Sequence, residues 1–220
     1  MRAGISAREA RISELAFRDQ LTALPNRQLF NDRLEQAIRA AKREGQSLSV
    51  MLLDLDQFKE VNDILGHNVG DLLLQEVGRR LQTTLMRDSD TVARLGGDEF
   101  AALLTNTDTA GAQFIAQRLL DVLNEPTILE NQKVIAGGSI GLAAYPVDGD
   151  EASTLLRHAE LAMYVAKRNR SGFAVFDPNL EQQSLEHLSL MAELRHALEH
   201  NELVLYYQPK VGLADRSLSQ

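Results

Sequence analysis

The 220-residue chain contains no cysteine. Disulfide scaffolds, thiolate zinc sites and cysteine nucleophiles are therefore excluded, and the composition suits a reducing cytoplasm, or the cytoplasmic side of a membrane-anchored protein. No apolar run approaches the ~20 residues that a membrane helix needs, so direct membrane contact is not expected of this stretch. The first residues, Met1–Arg11, alternate charged and small side chains and lack an apolar signal core. Positive charge is in deficit: 23 Lys and Arg stand against 31 Asp and Glu, a net charge of −8. Such a surface repels phosphate backbones, which argues against nucleic-acid binding. An anionic small ligand can still bind where cations or metal ions are placed locally. There is no fixed-period repeat and no low-complexity tract. What is present is a hydrophobic fraction of 44%, sufficient for a sizeable core, and enough length for one domain plus part of another.

Hydrophobic periodicity predicts the elements. Residues 3–17 read as a lead-in helix, with Ile5, Ile12 and Leu15 at heptad-like spacing, either an ordinary amphipathic helix or a short coiled-coil segment. A helix at 26–43 carries Leu29, Phe30, Leu34, Ala37, Ile38 and Ala41 on one stripe, with Asn26 as N-cap and Gly45 as stop. Residues 48–55 are almost continuously apolar, as in a strand buried on both faces. A helix to about Leu65, a break at Gly66–Asp71 and a helix at 71–86 follow. Short strands at 91–95 and 99–104 flank Gly96-Gly97, a hairpin signal. A helix at 109–124, strands at 127–130 and 133–144, a helix at 151–168 and a strand at 173–176 complete the unit. This alternation predicts an α/β (α+β) fold, a central mixed β-sheet with helices packed around it. After Asp177-Pro178-Asn179, a helix at 184–200 and a strand at 202–207 are too little to bury an apolar face of their own. They read as the start of a further domain.

Two acidic stretches carry the chemistry. Asp54 ends an apolar strand, where a carboxylate is costly unless something neutralises it; a hard divalent cation does so. Asp56, two residues on, reads instead as the cap of the next helix. In Gly96-Gly97-Asp98-Glu99 the glycines permit a primed turn and a close approach of phosphates, and the adjacent acids repel each other unless a cation intervenes. A turn of this kind is by itself ordinary. If the hairpin pairs beside strand 48–55, Asp54, Asp98 and Glu99 converge, an arrangement suited to Mg²⁺-assisted phosphoryl or nucleotidyl transfer.

The stretch Arg94-Leu95-Gly96-Gly97-Asp98-Glu99-Phe100 resembles the signature of the GGDEF diguanylate cyclase family. The resemblance covers about residues 18–177 and includes Asp19-Gln20-Leu21-Thr22-Ala23-Leu24-Pro25-Asn26-Arg27, Asp54–Asp63 and Gly66-His67-Asn68-Val69-Gly70-Asp71. It implies a nucleotidyl-cyclase-like sheet with a ferredoxin-like βαββαβ core. It implies that Asp54, Asp98, Glu99 and the carbonyl of Leu55 hold two Mg²⁺ (or Mn²⁺) ions per GTP, that Glu99 helps deprotonate the attacking 3′-hydroxyl, and that Asn62 and Asp71 read guanine. Phe58, Lys59, Gly96 and Gly97 would lie at the phosphates, with Lys59 supplying charge. Two GTP molecules would become cyclic di-GMP and two pyrophosphates in a homodimer, one GTP per domain.

Arg87 and Asp90 stand where the family's Arg-x-x-Asp product-inhibition site stands; without that frame they read as a polar turn ending a helix. Lys167 matches the family's phosphate clamp, but Arg170 replaces the usual glycine and Ser171 the usual arginine, so that Arg170 would serve from one position earlier. Glu160 replaces a usual aspartate, and Ala23 a usual glycine. The altered clamp leaves a second expectation beside the active cyclase: a GTP-binding regulatory module of a tandem GGDEF–EAL phosphodiesterase. The tail Glu202-Leu203-Val204-Leu205-Tyr206-Tyr207-Gln208-Pro209 resembles the opening of an EAL domain. His196 and His200, spaced i, i+4, read as residues of a solvated helix face rather than a metal pair, and His67 as structural.

Overall fold

In the computed structural model β1 (Leu48–Asp54) is the central strand of a five-stranded sheet ordered β2-β3-β1-β6-β7. The structure describes residues 17–85, 87–206, 210–211 and 218–219; the expected lead-in helix at 3–17 lies almost wholly outside them. Every β1 residue before Asp54 is buried. The strand alternates between two apolar layers, as its pleat dictates. Leu48, Val50 and Leu52 enter one layer, Met51 and Leu53 the other.

Two helices cover the first face. One is α1 (Arg27–Glu44), which buries Phe30, Leu34, Ile38 and Ala41. Removing each large side chain of that stripe from water contributes roughly 1.5–3 kcal/mol. Asn26 accepts from Leu29 N–H as N-cap, and Gly45 ends the helix at φ 66°, both as the sequence predicts. On the opposite face lie α2 (Phe58–Leu65), α3 (His67–Thr84) and, beyond the hairpin of β2 (Thr91–Gly96) and β3 (Glu99–Thr105), α4 (Thr109–Leu123). A small hairpin, β4 (Thr127–Leu129) and β5 (Gln132–Val134), precedes β6 (Ser139–Tyr145), α5 (Ala152–Asn169) and β7 (Phe173–Val175). The second helix on the first face is α5. The antiparallel pairs β1–β3 and β1–β6 and the order β6-β1-β3-β2 reproduce the ferredoxin-like arrangement, and β7 adds a parallel edge to β6.

Three local expectations are corrected. The break at Gly66–Asp71 is shorter than expected: Gly66 (φ 89°) makes the turn alone and α3 starts at His67, so His67 is helical. Asn68 and Gly70 lower helix propensity without preventing the helix. The expected strand 133–144 is two strands, parted at Gly137-Gly138 where Gly137 takes φ 53°. Residues 202–206 are not strand. The chain divides into two compact units at Leu180/Glu181, with α6 (Asn179–Glu199) opening at the divide. In the second unit β8 (Lys210–Val211) pairs with β9 (Leu218–Ser219). His196 and His200 are exposed and stacked with ring centroids 3.9 Å apart. Among the described residues no helix is long and apolar enough to cross a membrane.

One ion cluster, with Arg80 as its buried member, ties α3 to α4. The guanidinium of Arg80, 8% exposed, donates to Glu76 Oε1 (2.8 Å) and to the carbonyls of Val122 (2.9 Å) and Glu125 (2.5 Å). It thereby ties α3 to the last turn of α4 and to the segment just beyond it. Arg79 grips Glu76 through two bonds of 2.8 and 2.7 Å. Arg79 first, and Arg80 with it, overcome the opposing effect of burial and hold the Glu76 carboxyl at about 2, below its ordinary 4.5. Because the folded-state value is depressed, the stabilisation is present above pH 4.5 and disappears as pH falls towards 2. The urea midpoint should fall across that window, and Glu76→Gln should flatten the fall; an unchanged acid limb in the variant would refute the assignment.

Candidate active site

Strand register brings the two acidic stretches together. Asp54, the last residue of β1, is the direct antiparallel partner of Glu99, the first residue of β3, and on its other side of Ser139 in β6. Opposed residues of adjacent strands project to the same face. Asp54 and Glu99 therefore share the face of Leu52 and Ala101, where α1 and α5 pack. Each carboxylate meets one cation from those helices. Lys167 Nζ of α5 pairs with Asp54 Oδ1. Arg27, the first residue of α1, donates from its guanidinium to Glu99 Oε2 (3.1 Å) and from Nε to Leu95 O (3.2 Å). Burial raises the Asp54 carboxyl above its ordinary range; Lys167 pulls the other way, and Asp98 and Asp56 add to the rise. Lys167 is raised in turn: burial lowers it, but its bond to Asp54 outweighs that.

Between these groups lies the hairpin bend. Gly96 and Gly97 have φ of 142° and 54°, and a side chain built at either would meet nothing within 4 Å. The bend is open to an approaching ligand, and of its two central residues, Gly97 and Asp98, only Gly97 has positive φ. A bulge between Arg94 and Gly96 aims the bend. Arg94 fastens it, donating to Gly97 O at 3.0 and 2.7 Å and to both Asp19 oxygens at 3.1 and 3.2 Å. Asp19 also accepts from Thr22 N (2.9 Å) and Oγ1 (2.7 Å). Burial raises Asp19, yet these bonds outweigh it and hold the carboxyl below its ordinary range.

The remaining sequence candidates fall into place around this centre or away from it. Leu55 follows Asp54, buried, its N–H donating to Asp98 O at 3.3 Å. Asp56 is not a helix cap: it accepts from Ser139 Oγ at 3.0 Å, and Gln57 occupies the cap position at φ 57° without a side-chain bond. Phe58 and Lys59 open α2, Phe58 packed on the core and Lys59 exposed. Asn62 lies against α3 at Gly70, one residue before the exposed Asp71. Arg170 ends α5 in the left-handed region (φ 52°), the conformation that favours glycine, and Ser171 Oγ donates to Phe173 O at 3.0 Å. Hard carboxylate oxygens at the end of a buried strand, each already drawing a cation, fit a divalent metal. Among the described residues no three His, Asp or Glu side chains are gathered as a ready metal cage, so of the expected convergence of Asp54, Asp98 and Glu99 the strand register supplies the pairing of Asp54 with Glu99.

Arg27 stands in the Asp19–Arg27 stretch of the resemblance, but its place at Glu99 leaves no trace in the sequence because the two lie 72 residues apart. A cavity of about 200 Å³ joins it to Glu99, Met163 and the substituted Glu160. Arg87 and Asp90 sit apart, lining an open cavity of about 560 Å³ with Thr107, Phe114 and Arg118. Asp90 Oδ1 accepts from Thr105 N at 3.1 Å, and burial raises its carboxyl. Arg118, exposed on α4, lines the same cavity, and an exposed helical arginine carries no local signal of that.

A sequence profile described as "Diguanylate cyclase, GGDEF domain" matches residues 16–172. The chain belongs to the GGDEF family. It is 45% identical over 199 residues to MucR of Pseudomonas aeruginosa, named a bifunctional diguanylate cyclase/cyclic di-GMP phosphodiesterase, covering 90% of this chain and 29% of MucR. It is 40% identical over 183 residues to the diguanylate cyclase TpbB of the same species, covering 80% of this chain and 42% of TpbB. It is also 40% identical over 214 residues to the cyclic di-GMP phosphodiesterase NbdA, covering 96% of this chain and 27% of NbdA. The chain thus spans less than half of each of these relatives. The solved GGDEF domain of TpbB superposes with a TM-score of 0.74 at 40% identity, covering 76% of this chain and 99% of that one. A GGDEF-family structure from Caulobacter crescentus gives 0.66 at 41% identity, covering 70% and 99%.

Proposed function

We propose that this GGDEF domain is a diguanylate cyclase, condensing two GTP molecules into cyclic di-GMP in a homodimer. The observation that carries the reading is the register pairing of Asp54 with Glu99 beside an open double-glycine bend. Asp54, Asp98, Glu99 and the Leu55 carbonyl would hold two Mg²⁺ or Mn²⁺ ions per GTP, and these would supply charge neutralisation to the phosphates. Gly96 and Gly97 let the phosphates approach the backbone. Lys59, Lys167 and Arg170 add positive charge, with Lys167 leaving its pair with Asp54 for the nucleotide. Asp71 accepts from guanine N1–H and N2–H₂, and Asn62 offers a donor and an acceptor. Glu99 takes the proton of the 3′-hydroxyl as that oxygen bonds to the α-phosphorus of the other GTP. The bond from the α-phosphorus to the bridging oxygen breaks and pyrophosphate leaves; the reciprocal attack closes the ring. Each domain holds one GTP, which requires a two-fold pair.

The test is incubation of the purified chain with GTP and Mg²⁺, at a concentration that supports dimers, with products identified by mass. Cyclic di-GMP and two equivalents of pyrophosphate are expected; neither product would overturn the assignment. One observation favours a second reading, a GTP-binding module that regulates a phosphodiesterase. Ser171 replaces the clamp arginine and is tied to Phe173 O, and Arg170 occupies a glycine-like backbone position. Nucleotide binding without turnover would select it. We further propose that the residues after Asp177 open an EAL-type domain; their sequence supports this, as does the likeness to MucR, which is named for both activities.

Product feedback is part of the proposal. Arg87, Asp90 and Arg118 offer two guanidiniums and a carboxylate to one cavity. Guanidinium forks suit both phosphate and guanine. Arg87→Ala should raise the cyclic di-GMP concentration that halves the initial rate by at least about tenfold, the loss of one charged hydrogen bond. An unchanged concentration would remove the site.

A further inference from the structure

Gly70 lies inside α3, which runs from His67 to Thr84, and it is buried. Its φ is not among the positive values of the chain, so the backbone there does not call for glycine. Gly70 is the fourth residue of α3, and glycine within a helix is destabilising relative to alanine. What glycine gives here is room. An ideal Cβ on residue 70 would stand 3.0 Å from Asn62 Cγ and 3.4 Å from Phe58 Cε2, with Asn62 Oδ1 closer still. The Asn62 amide therefore rests in a notch that only a missing side chain provides, one residue from Asp71.

We infer that Gly70 is a positioning residue for nucleobase recognition: its notch seats the Asn62 amide beside the Asp71 carboxylate, so both meet one guanine edge. The inference rests on the proposed roles of Asn62 and Asp71. A Cβ at residue 70 collides with the far end of a side chain that can rotate, not with fixed backbone. The helix accepts alanine and the amide swings out, so stability and recognition move in opposite directions.

The test uses the whole chain and guanosine 5′-[α,β-methylene]triphosphate with Mg²⁺. Gly70→Ala should raise Tm by about 2–4 °C and weaken calorimetric affinity roughly tenfold. In turnover, KM for GTP should rise with kcat nearly unchanged. In an Asn62→Ala background, Gly70→Ala should still raise Tm but leave affinity unaltered. A lower Tm or an unfolded variant, an unchanged affinity, or an affinity loss that persists without the Asn62 amide would each overturn the positioning role. If Asn62→Ala itself binds the analogue as the parent does, the guanine assignment falls, and the positioning role with it. If Asn62→Ala binds weakly while Gly70→Ala binds normally, only the positioning role falls.

Discussion

Glu99→Gln should lower cyclic di-GMP synthesis by at least about 10³-fold while leaving the fold intact. The substitution keeps shape and removes one negative charge at the bend. In the proposed reaction it deletes both a metal-holding oxygen and the acceptor of the 3′-hydroxyl proton, and general-base loss alone is typically worth 10²–10⁴. The fold has little at stake. The Glu99 side chain is 42% exposed, and its ion pair with Arg27, itself 59% exposed, is of the kind that contributes ~1 kcal/mol or less. Tm should therefore shift by less than about 4 °C. Retained synthesis would remove Glu99 from the reaction; an unfolded variant would mean that the bend supports the core, contrary to its exposure.

Gly141→Ala should have the opposite character, loss of fold and of everything downstream. Gly141 sits in the middle of β6, directly opposite Leu52 of β1, and faces α5. An added Cβ would stand 2.8 Å from Met163 Cα, with Met163 N and Ala159 O nearer still. These are backbone atoms of a helix whose Ala159 and Ala162 are fully buried, so no rotamer change relieves the clash. Ordinary overpacking costs 1–3 kcal/mol. Forcing helix from sheet should exceed about 4 kcal/mol, much of a domain's net stability of ~5–15 kcal/mol. Circular dichroism at 25 °C should show an unfolded or aggregated chain. A soluble variant with Tm within a few degrees of the parent would contradict this packing.

The two substitutions also mark what could be read from the sequence. The apolar run Leu48–Leu53 announced a strand buried on both faces, and Asn26 and Gly45 announced the ends of α1, because those signals are local. The start of α3 at His67 was hidden by low-propensity residues that tertiary packing overrides. The break at Gly137-Gly138 carries a sequence signal in the glycine pair itself, which the apolar residues of 134–136 and 140–144 outweigh in a reading by periodicity. At the site, the acids Asp54, Asp98 and Glu99 were legible as chemistry. Their convergence hung on the hairpin pairing beside β1, and only the fold supplies that register, which sets Asp54 opposite Glu99 across 45 residues of chain. Arg27 on Glu99, Ser139 on Asp56 and the Gly70 notch are likewise products of folding. Lys167 was legible only through the family resemblance, and its pairing with Asp54 came from the packing of α5 on the sheet.

The most direct measurement is manganese uptake by equilibrium dialysis, with the α,β-methylene analogue saturating the chain. Two cations per bound nucleotide are expected in the parent, and fewer when Asp54 is replaced by Asn. Uptake no greater than that of the free nucleotide, or uptake indifferent to Asp54→Asn, would contradict a metal centre built on the Asp54–Glu99 pair.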